Sequence, residues 1–405
     1  MKFLFQVRQV RLMQTNVIKV EHSSICLPRD SKTVRLPRAP KRKRSADFYD
    51  AFDAHTLVYD VFWHVDGNRV LLICPPPLNL EFAWRAADFV ALPSGQKLAA
   101  NFVILRSTMT ISLENVPKDT KKIELVFDGK AYTARVRENL SHELENSRLM
   151  FTMNRNNPLE WIREWALFHR VMHGVDSILV FDNGSTEYTL QDMEQTLGSV
   201  DGIKNIIVSS LPQKYGPHDP GVLFYRFWAN FLQLSSISIM FRRFGSRAFG
   251  ILNCDIDELV APLSTGDIFS VANESRDGLF MLRGIWVEST IASSKAPSAP
   301  LPIHTNFTHV LRDFRKRLNA DKWVIEPKRD WLQAQNAHPA VHRIRNVAKK
   351  YARRAPHGVF FHFKGINTNW KENRSNLRKN VPLTQYQPAE LKKMFSDYSK
   401  RLKAE

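Results

Sequence analysis

The chain has 405 residues, 43% hydrophobic and 24% charged, with a formal net charge of +18, an ordinary balance for a soluble globular protein of two or three domains. Its three widely spaced cysteines, Cys26, Cys74 and Cys254, exclude a disulfide framework or a zinc pattern. No apolar run approaches the ~20 residues that a membrane-spanning helix needs.

The opening MKFLFQVRQVRLMQ carries arginines inside its apolar stretch and has no small-residue cleavage site. It reads as a poor signal peptide, so a cytoplasmic protein is expected. Residues 1–46 hold twelve Lys/Arg against Glu21 and Asp30, a net +10. Residues 342–380 hold eleven against Glu372, again +10, which leaves the rest of the chain at −2. The basicity thus belongs to two segments of a kind that attract polyanions: nucleic acid, an anionic membrane face or phosphate-bearing ligands. The run PRAPKRKRS (37–45) reads as a solvated linker within a flexible N-terminal arm, 1–46. No recognisable nucleic-acid reader accompanies it.

Residues 47–145 read as short β segments: TLVYDVFWHV, RVLLICPP, FVILRSTMTISL and KIELVFDGKAYTARVR are rich in Val, Ile, Phe and Tyr and separated by turns such as VDGN and PSGQ. The expectation is a small antiparallel sandwich serving as an accessory domain. From about residue 146 to 376 the pattern becomes α/β. RLMFTM is a strand, Asn156-Asn157-Pro158 supplies an N-cap with proline in the first turn, and PLEWIREWALFHRVMHG is a helix ending at Gly174. Trp161, Trp165 and His169 fit helical core packing there. SILVF is the next strand, followed by the loop Asp182-Asn183-Gly184-Ser185-Thr186-Glu187 and a helix near 188–197. IKNIIVSSL is a further strand, a long aromatic helix is expected from about Pro220, and AFGILNCDIDEL is another buried strand. Alternating apolar strands and helices argue for a mostly parallel, covered sheet with flanking helices, whose ligands sit beyond the carboxyl ends of the strands. Residues 377–405 read as a helical tail.

Two of these strands end in acids, at Asp182 and at Asp255-Ile256-Asp257-Glu258. An acid in such a place is commonly a helix N-cap. Asp255 and Asp257, however, alternate along an extended segment, so both carboxylates are expected to point the same way. Close like charges call for a cation between them, and a hard divalent ion shared with a nucleotide's phosphates satisfies that demand.

At this point the residues resemble a known family. Glu164-Trp165, His169, Gly174, Asp176, Asp182-Asn183, Ser185, Asp255 and Asp257 follow the order E-W-x-x-x-H, G-x-D, D-N-x-S and D-x-D. This is similar to the GT-A-fold (Rossmann-like) nucleotide-sugar glycosyltransferases, near families 2 and 92, which include the group once called domain of unknown function 23. The segments LRGIWVES, KWVIEP and FFHFKGINTNWKENR extend the likeness over residues 148–376. The chain departs from it at Met153–Asn157, where many relatives carry Lys-Asn-Glu.

The resemblance implies a hexosyltransferase that moves a sugar from a UDP-sugar to a hydroxyl of a glycan or lipid-linked acceptor, with inversion, in surface polysaccharide synthesis. It implies Mn2+ or Mg2+ held by Asp255, Asp257 and a late histidine, His362, with Asp182 and Asn183 at the uridine. Arg283 and Lys322 are candidate donor contacts, and Lys364, Lys371 and Arg374 are further candidates to neutralise phosphate. Glu288 is the candidate general base, with Asp313 and Asp330 as rivals. The loop 182–187 is expected to be both the N-cap region of the next helix and the floor of the uridine pocket. Asn183-Gly184-Ser185 is also a glycosylation sequon, and a glycan there would block that pocket. The basic segments fit peripheral contact with the inner face of an anionic plasma membrane, with no specific nucleic acid. Two other readings stay open: a nucleotide-sugar-binding scaffold without turnover, and a nucleic-acid-binding protein using its basic segments.

Overall fold

The computed structural model describes residues 15–38, 44–222, 226–264, 266–291, 301–313, 319–333, 338–345, 356–368, 377–378 and 380–405. At its centre is a nine-stranded sheet in the order Asn16–Val17, Asn205–Ser210, Ser177–Asp182, Arg148–Asn154, Gly250–Asn253, Asn319–Ile325, Leu279–Val287, His357–Phe363 and Glu258–Val260. The first five strands are parallel. Asn319–Ile325 runs antiparallel to both neighbours, and His357–Phe363 lies parallel to Leu279–Val287 and antiparallel to Glu258–Val260.

Continuous apolar strands become a sheet covered on both faces, and alternation decides which residue meets which layer. Ile178 and Val180 join the helices Leu159–His173 and Leu190–Gly198 in one cluster. Leu179 and Phe181 face the other way, onto Phe231, Phe241 and Phe244. His169 is fully buried in the first layer, its Nδ1 donating to the Trp165 carbonyl at 2.8 Å. Burial holds its imidazole well below the usual range, as a neutral core histidine. Gly174 closes the first helix in the left-handed region at φ 67°.

Helix starts differ from expectation because asparagines find other work. Pro158 occupies the N-cap of Leu159–His173 with no side-chain cap bond. Asn157 Nδ2 instead donates to Asn154 Oδ1 at 2.9 Å, and Asn156 Oδ1 accepts from the Thr186 N–H at 2.7 Å. Thr189, in a reciprocal capping box with Asp192, starts Leu190–Gly198, so the loop 182–187 is not the cap of that helix. The aromatic helix begins at Phe231 rather than near Pro220, and its end passes into a π-turn at Met240–Phe244. Before it, Asp219 accepts from Trp228 Nε1 at 3.1 Å and Arg44 Nε at 3.2 Å, side-chain bonds that tie this segment to the N-terminal one.

The β segments form two antiparallel four-stranded sheets. One runs Asp60–Trp63, Val70–Cys74, Met109–Leu113, Ala100–Ile104; the other runs Lys130–Arg135, Lys122–Phe127, Asp88–Leu92, Gln96–Lys97. Ile123, Leu125 and Phe127 alternate inward from the second onto Leu72, Ile111 and Leu113 of the first. The first sheet is buried on its other side too, where Phe62, Leu71 and Ile73 enter the layer beneath the central sheet.

Residues 15–38, expected to belong to a flexible arm, are built into the body. Asn16–Val17 adds an edge strand beside Asn205 and Ile206. Arg35 is 1% exposed, its guanidinium donating to the carbonyls of Pro76, Asp53 and Thr56 at 2.8–3.0 Å. These three bonds explain why a basic side chain here is structural. Residues 39–43 of the basic run lie outside the described residues, whereas Arg44 packs over the Phe48 ring at 4.8 Å.

A second buried polar group pins three layers together. Ser209 Oγ lies 2.8 Å from His22 Nε2, His22 Nδ1 lies 2.8 Å from Asp60 Oδ2, and Arg243 Nη1 donates to the same oxygen at 2.8 Å. The N–H groups of Ser23 and Val61 fill Asp60 Oδ1. The order Ser–His–Asp is that of a hydrolytic triad, but Ser209 is 1% and Asp60 0% exposed. No substrate reaches a hydroxyl so placed. The group ties the N-terminal segment, the first β-sheet and the central sheet to one another.

Candidate active site

The loop after Ser177–Asp182 is organised by its first acid. Asp182 is buried, and both of its oxygens are in use: Oδ1 accepts from Asn154 Nδ2 at 2.9 Å and from Ser185 Oγ, and Oδ2 accepts from the N–H groups of Gly184 at 3.1 Å and Ser185 at 2.8 Å. Gly184 takes φ +77°, which brings its N–H and the next onto the carboxylate. Asn183 donates to the Leu211 and Gln213 carbonyls, joining this loop to the end of Asn205–Ser210. Asp182 therefore shapes the loop through its carboxylate, and the loop presents Thr186, Glu187 and the Gly184 backbone outward. Replacing Asp182 with alanine strips four donors of their acceptor. The expected result is a loss of ~1–3 kcal/mol of stability from the unsatisfied donors, read by denaturant unfolding.

Asp255 and Asp257 lie not on an extended strand but around a turn between Gly250–Asn253 and Glu258–Val260. The turn sends them to different partners. Asp255 Oδ2 accepts from Lys322 Nζ at 2.8 Å, whereas Asp257 Oδ2 lies 2.8 Å from His362 Nε2. The turn is anchored from behind: His304 Nε2 donates to the Ile256 carbonyl at 2.7 Å and the Phe363 N–H to the Asp257 carbonyl at 2.8 Å. Burial lowers His304 to about 4, so it stays neutral in this role.

Strand register sets the rest. Glu258 pairs with His362, and His362 pairs with Trp286, placing three side chains in one row across three strands. The Trp286 and His362 rings stack at 4.0 Å. Glu258 is 1% exposed; its Oε2 accepts from the Asp255 N–H at 2.8 Å and lies 3.1 Å from Lys322 Nζ, while Oε1 is 3.6 Å from His362 Nδ1. One ligand atom from each of Asp257, Glu258 and His362 can be chosen so that all lie within 4.8 Å of one another.

Three carboxylates here meet two cationic partners, and the most buried acid takes the strain. Burial, with the charges of Asp255 and Asp257 behind it, pushes the Glu258 carboxyl up to about 7 against the pull of Lys322 and His362. Burial alone would discharge Lys322, but Asp255 and Glu258 outweigh it and hold the ammonium charged. Burial likewise opposes a charged His362, and Asp257 and Glu258 reverse that, raising the imidazole above its ordinary value.

Glu288 stands at the end of Leu279–Val287, its carboxylate 2.6 Å from Lys364 Nζ, and that ammonium also lies 5.8 Å from the Trp286 ring centre. Glu288 and Lys364 thus border the Trp286–His362 stack. Arg283 is exposed and leaves the opposite face, three residues before Trp286 on a strand in unbroken register with His357–Phe363. Lys322 is 1% exposed, and its ammonium is paired with the carboxylates of Asp255 and Glu258. Asp313 is exposed, Asp330 opens the short helix Asp330–Gln333, and Lys371 and Arg374 lie outside the described residues. Glu258, Trp286 and His304 were missed as site residues by sequence reasoning. Only Glu258 carried a signal, as the acid directly after the D-x-D.

No protein-family model and no curated protein matches the chain. Among solved structures, the galactosyltransferase LgtC in complex with donor and acceptor sugar analogs is similar at 12% identity. The match covers 62% of this chain and 95% of that one, with a TM-score of 0.25. A likeness so remote carries no weight for ligand or reaction. The fold itself is mixed α/β with a large, mostly parallel central sheet and flanking helices. No helix among the described residues is long and apolar enough to cross a membrane.

Proposed function

We propose that the chain is a metal-dependent glycosyltransferase that moves a sugar from a UDP-sugar to a hydroxyl of a glycan or lipid-linked acceptor. The observation that carries the reading is the Asp257–Glu258–His362 group, gathered beyond the carboxyl end of the parallel strand Gly250–Asn253. Two carboxylates and an imidazole suit Mn2+, or Mg2+ with more of its water retained. The charge balance suits a divalent ion as well: exchanging the protons of Glu258 and His362 for one such ion leaves the net charge unchanged. The ion, when bound, supplies the positive charge that a leaving diphosphate needs.

The chain's own residues do the rest. The Asp182 loop and the adjoining Leu211–Gln213 segment form the nucleoside side, set by the hydrogen bonds of Asp182 and Asn183. Glu288, held by Lys364, is the base that takes the proton of an acceptor hydroxyl. Residues 146–376 make up the transferase domain in this reading, and 47–145 its accessory domain. The strand order, with Arg148–Asn154 between the strand that ends at Asp182 and the strand that leads into the Asp255–Asp257 turn, is consistent with a GT-A-like fold.

Calorimetric titration of UDP with and without Mn2+ tests the reading. UDP binding that requires the metal is the expected result. Absence of UDP binding under every metal condition would overturn the donor-site assignment.

A further inference from the structure

We infer that Lys322 is a built-in cation that keeps Asp255 off the metal, so that a single divalent ion is bound by Asp257, Glu258 and His362. The inference rests on the metal reading above and changes its ligand set: the first acid of the D-x-D becomes a positioning residue, and the acid after the motif becomes a ligand.

The geometry divides the cluster into two halves. On one side, Lys322 Nζ sits 2.8 Å from Asp255 Oδ2 and 3.1 Å from Glu258 Oε2. Oε2 also accepts from the Asp255 N–H at 2.8 Å, so that oxygen is committed to the lysine side. On the other side, Glu258 Oε1 lies 3.6 Å from His362 Nδ1, and His362 Nε2 lies 2.8 Å from Asp257 Oδ2. Glu258 is the hinge between the halves, one oxygen turned to each.

Lys322 cannot swing away to make room. It is 1% exposed, and its strand pairs on both sides, Lys322 itself opposite Leu282. An ammonium at that position already neutralises the pair of carboxylates that a second divalent ion would need, and it repels one. The chain thus carries one of its two countercharges covalently and takes the other from solution.

Counting bound Mn2+ by calorimetry and electron paramagnetic resonance tests this without any turnover. The wild-type chain is expected to bind one ion. Asp255→Asn is expected to keep that ion with an affinity loss of about 10-fold, the size of an outer-sphere change, while Asp257→Asn loses it. Lys322→Met, similar in length but uncharged, is expected to bind a second ion between Asp255 and Glu258. Should Lys322→Met fail to fold by circular dichroism, the Asp255→Asn and Asp257→Asn comparison decides. Two ions in the wild type would overturn the inference. So would loss of the ion in Asp255→Asn as complete as in Asp257→Asn, or a folded Lys322→Met that still binds one. Those results leave the metal reading standing; a wild-type chain that binds no Mn2+ removes both.

Discussion

Asp257→Asn is expected, on the proposed function, to abolish Mn2+ binding and to lower kcat/KM for the proposed sugar transfer by about 10²–10³-fold, the loss seen when a main transition-state charge stabiliser is removed. The substitution keeps the side chain's shape, so the hydrogen bond to His362 survives in altered form while the ligand charge is lost. The same site gives metal binding a pH dependence with a definite sign. Glu258 is raised from the ordinary carboxyl value to about 7, so at pH 6 the folded chain without metal holds a proton there. His362 is raised too, and a ligating imidazole must be neutral. Mn2+ must displace these protons, so its affinity is expected to rise from pH 6 to pH 8. Calorimetry in buffers of different ionisation enthalpy reads the proton release directly. For stability the sign is the reverse: between the unfolded carboxyl value and about 7, the folded chain without metal holds a proton that the unfolded chain has released. Its stability therefore falls as pH rises through that window, and added Mn2+ restores it.

Asp60→Ala is expected to destabilise the fold by about 3–5 kcal/mol, the cost of leaving a buried partner charge uncompensated. Arg243 is buried beside it, and His22 would lose its Nδ1 partner in the same change. Ser209→Ala, which removes one hydrogen bond from the same group, is expected to cost only about 1 kcal/mol. Denaturant unfolding of the two variants gives the contrast. Burial opposes the Asp60 charge, but His22 and Arg243 outweigh it and lower its carboxyl below the ordinary value. Its contribution is thus present above the unfolded carboxyl range and lost as pH falls through the lower, folded one. In Asp60→Ala that part of the acid dependence is expected to vanish. Equal losses from both substitutions would contradict a charge-centred pin.

The strands were legible because burial on both faces writes itself as unbroken apolar runs, as in Ser177–Asp182 and Arg148–Asn154. Helix caps were less so: Asn156 and Asn157 look like a cap in sequence, but their side chains bond to Thr186 and Asn154, across a loop the local pattern does not reveal. Asp255 and Asp257 were found by spacing, yet spacing assumed an extended backbone and therefore a shared direction. The turn gives them separate partners 67 and 105 residues away in sequence. Trp286 and Glu258 join the site through strand pairing with His357–Phe363, which no local pattern encodes. Arg35 shows the same limit from the other side, a cation in a basic segment that three carbonyls draw into the core.

Among the described residues, the short strand Glu258–Val260 pairs in the central sheet with one neighbour, His357–Phe363, and that neighbour is also its bridge to Leu279–Val287. A nascent chain therefore emerges from the ribosome with Glu258 and Asp257 already made but without the strand that seats them. Through the next hundred residues of synthesis the acids have no fixed geometry relative to each other, and only when residue 363 clears the exit tunnel does the register close. The five parallel strands can assemble well before that. The row of Glu258, His362 and Trp286 therefore closes late in synthesis, and a chain cut short before His357 would lack the strand that seats Glu258.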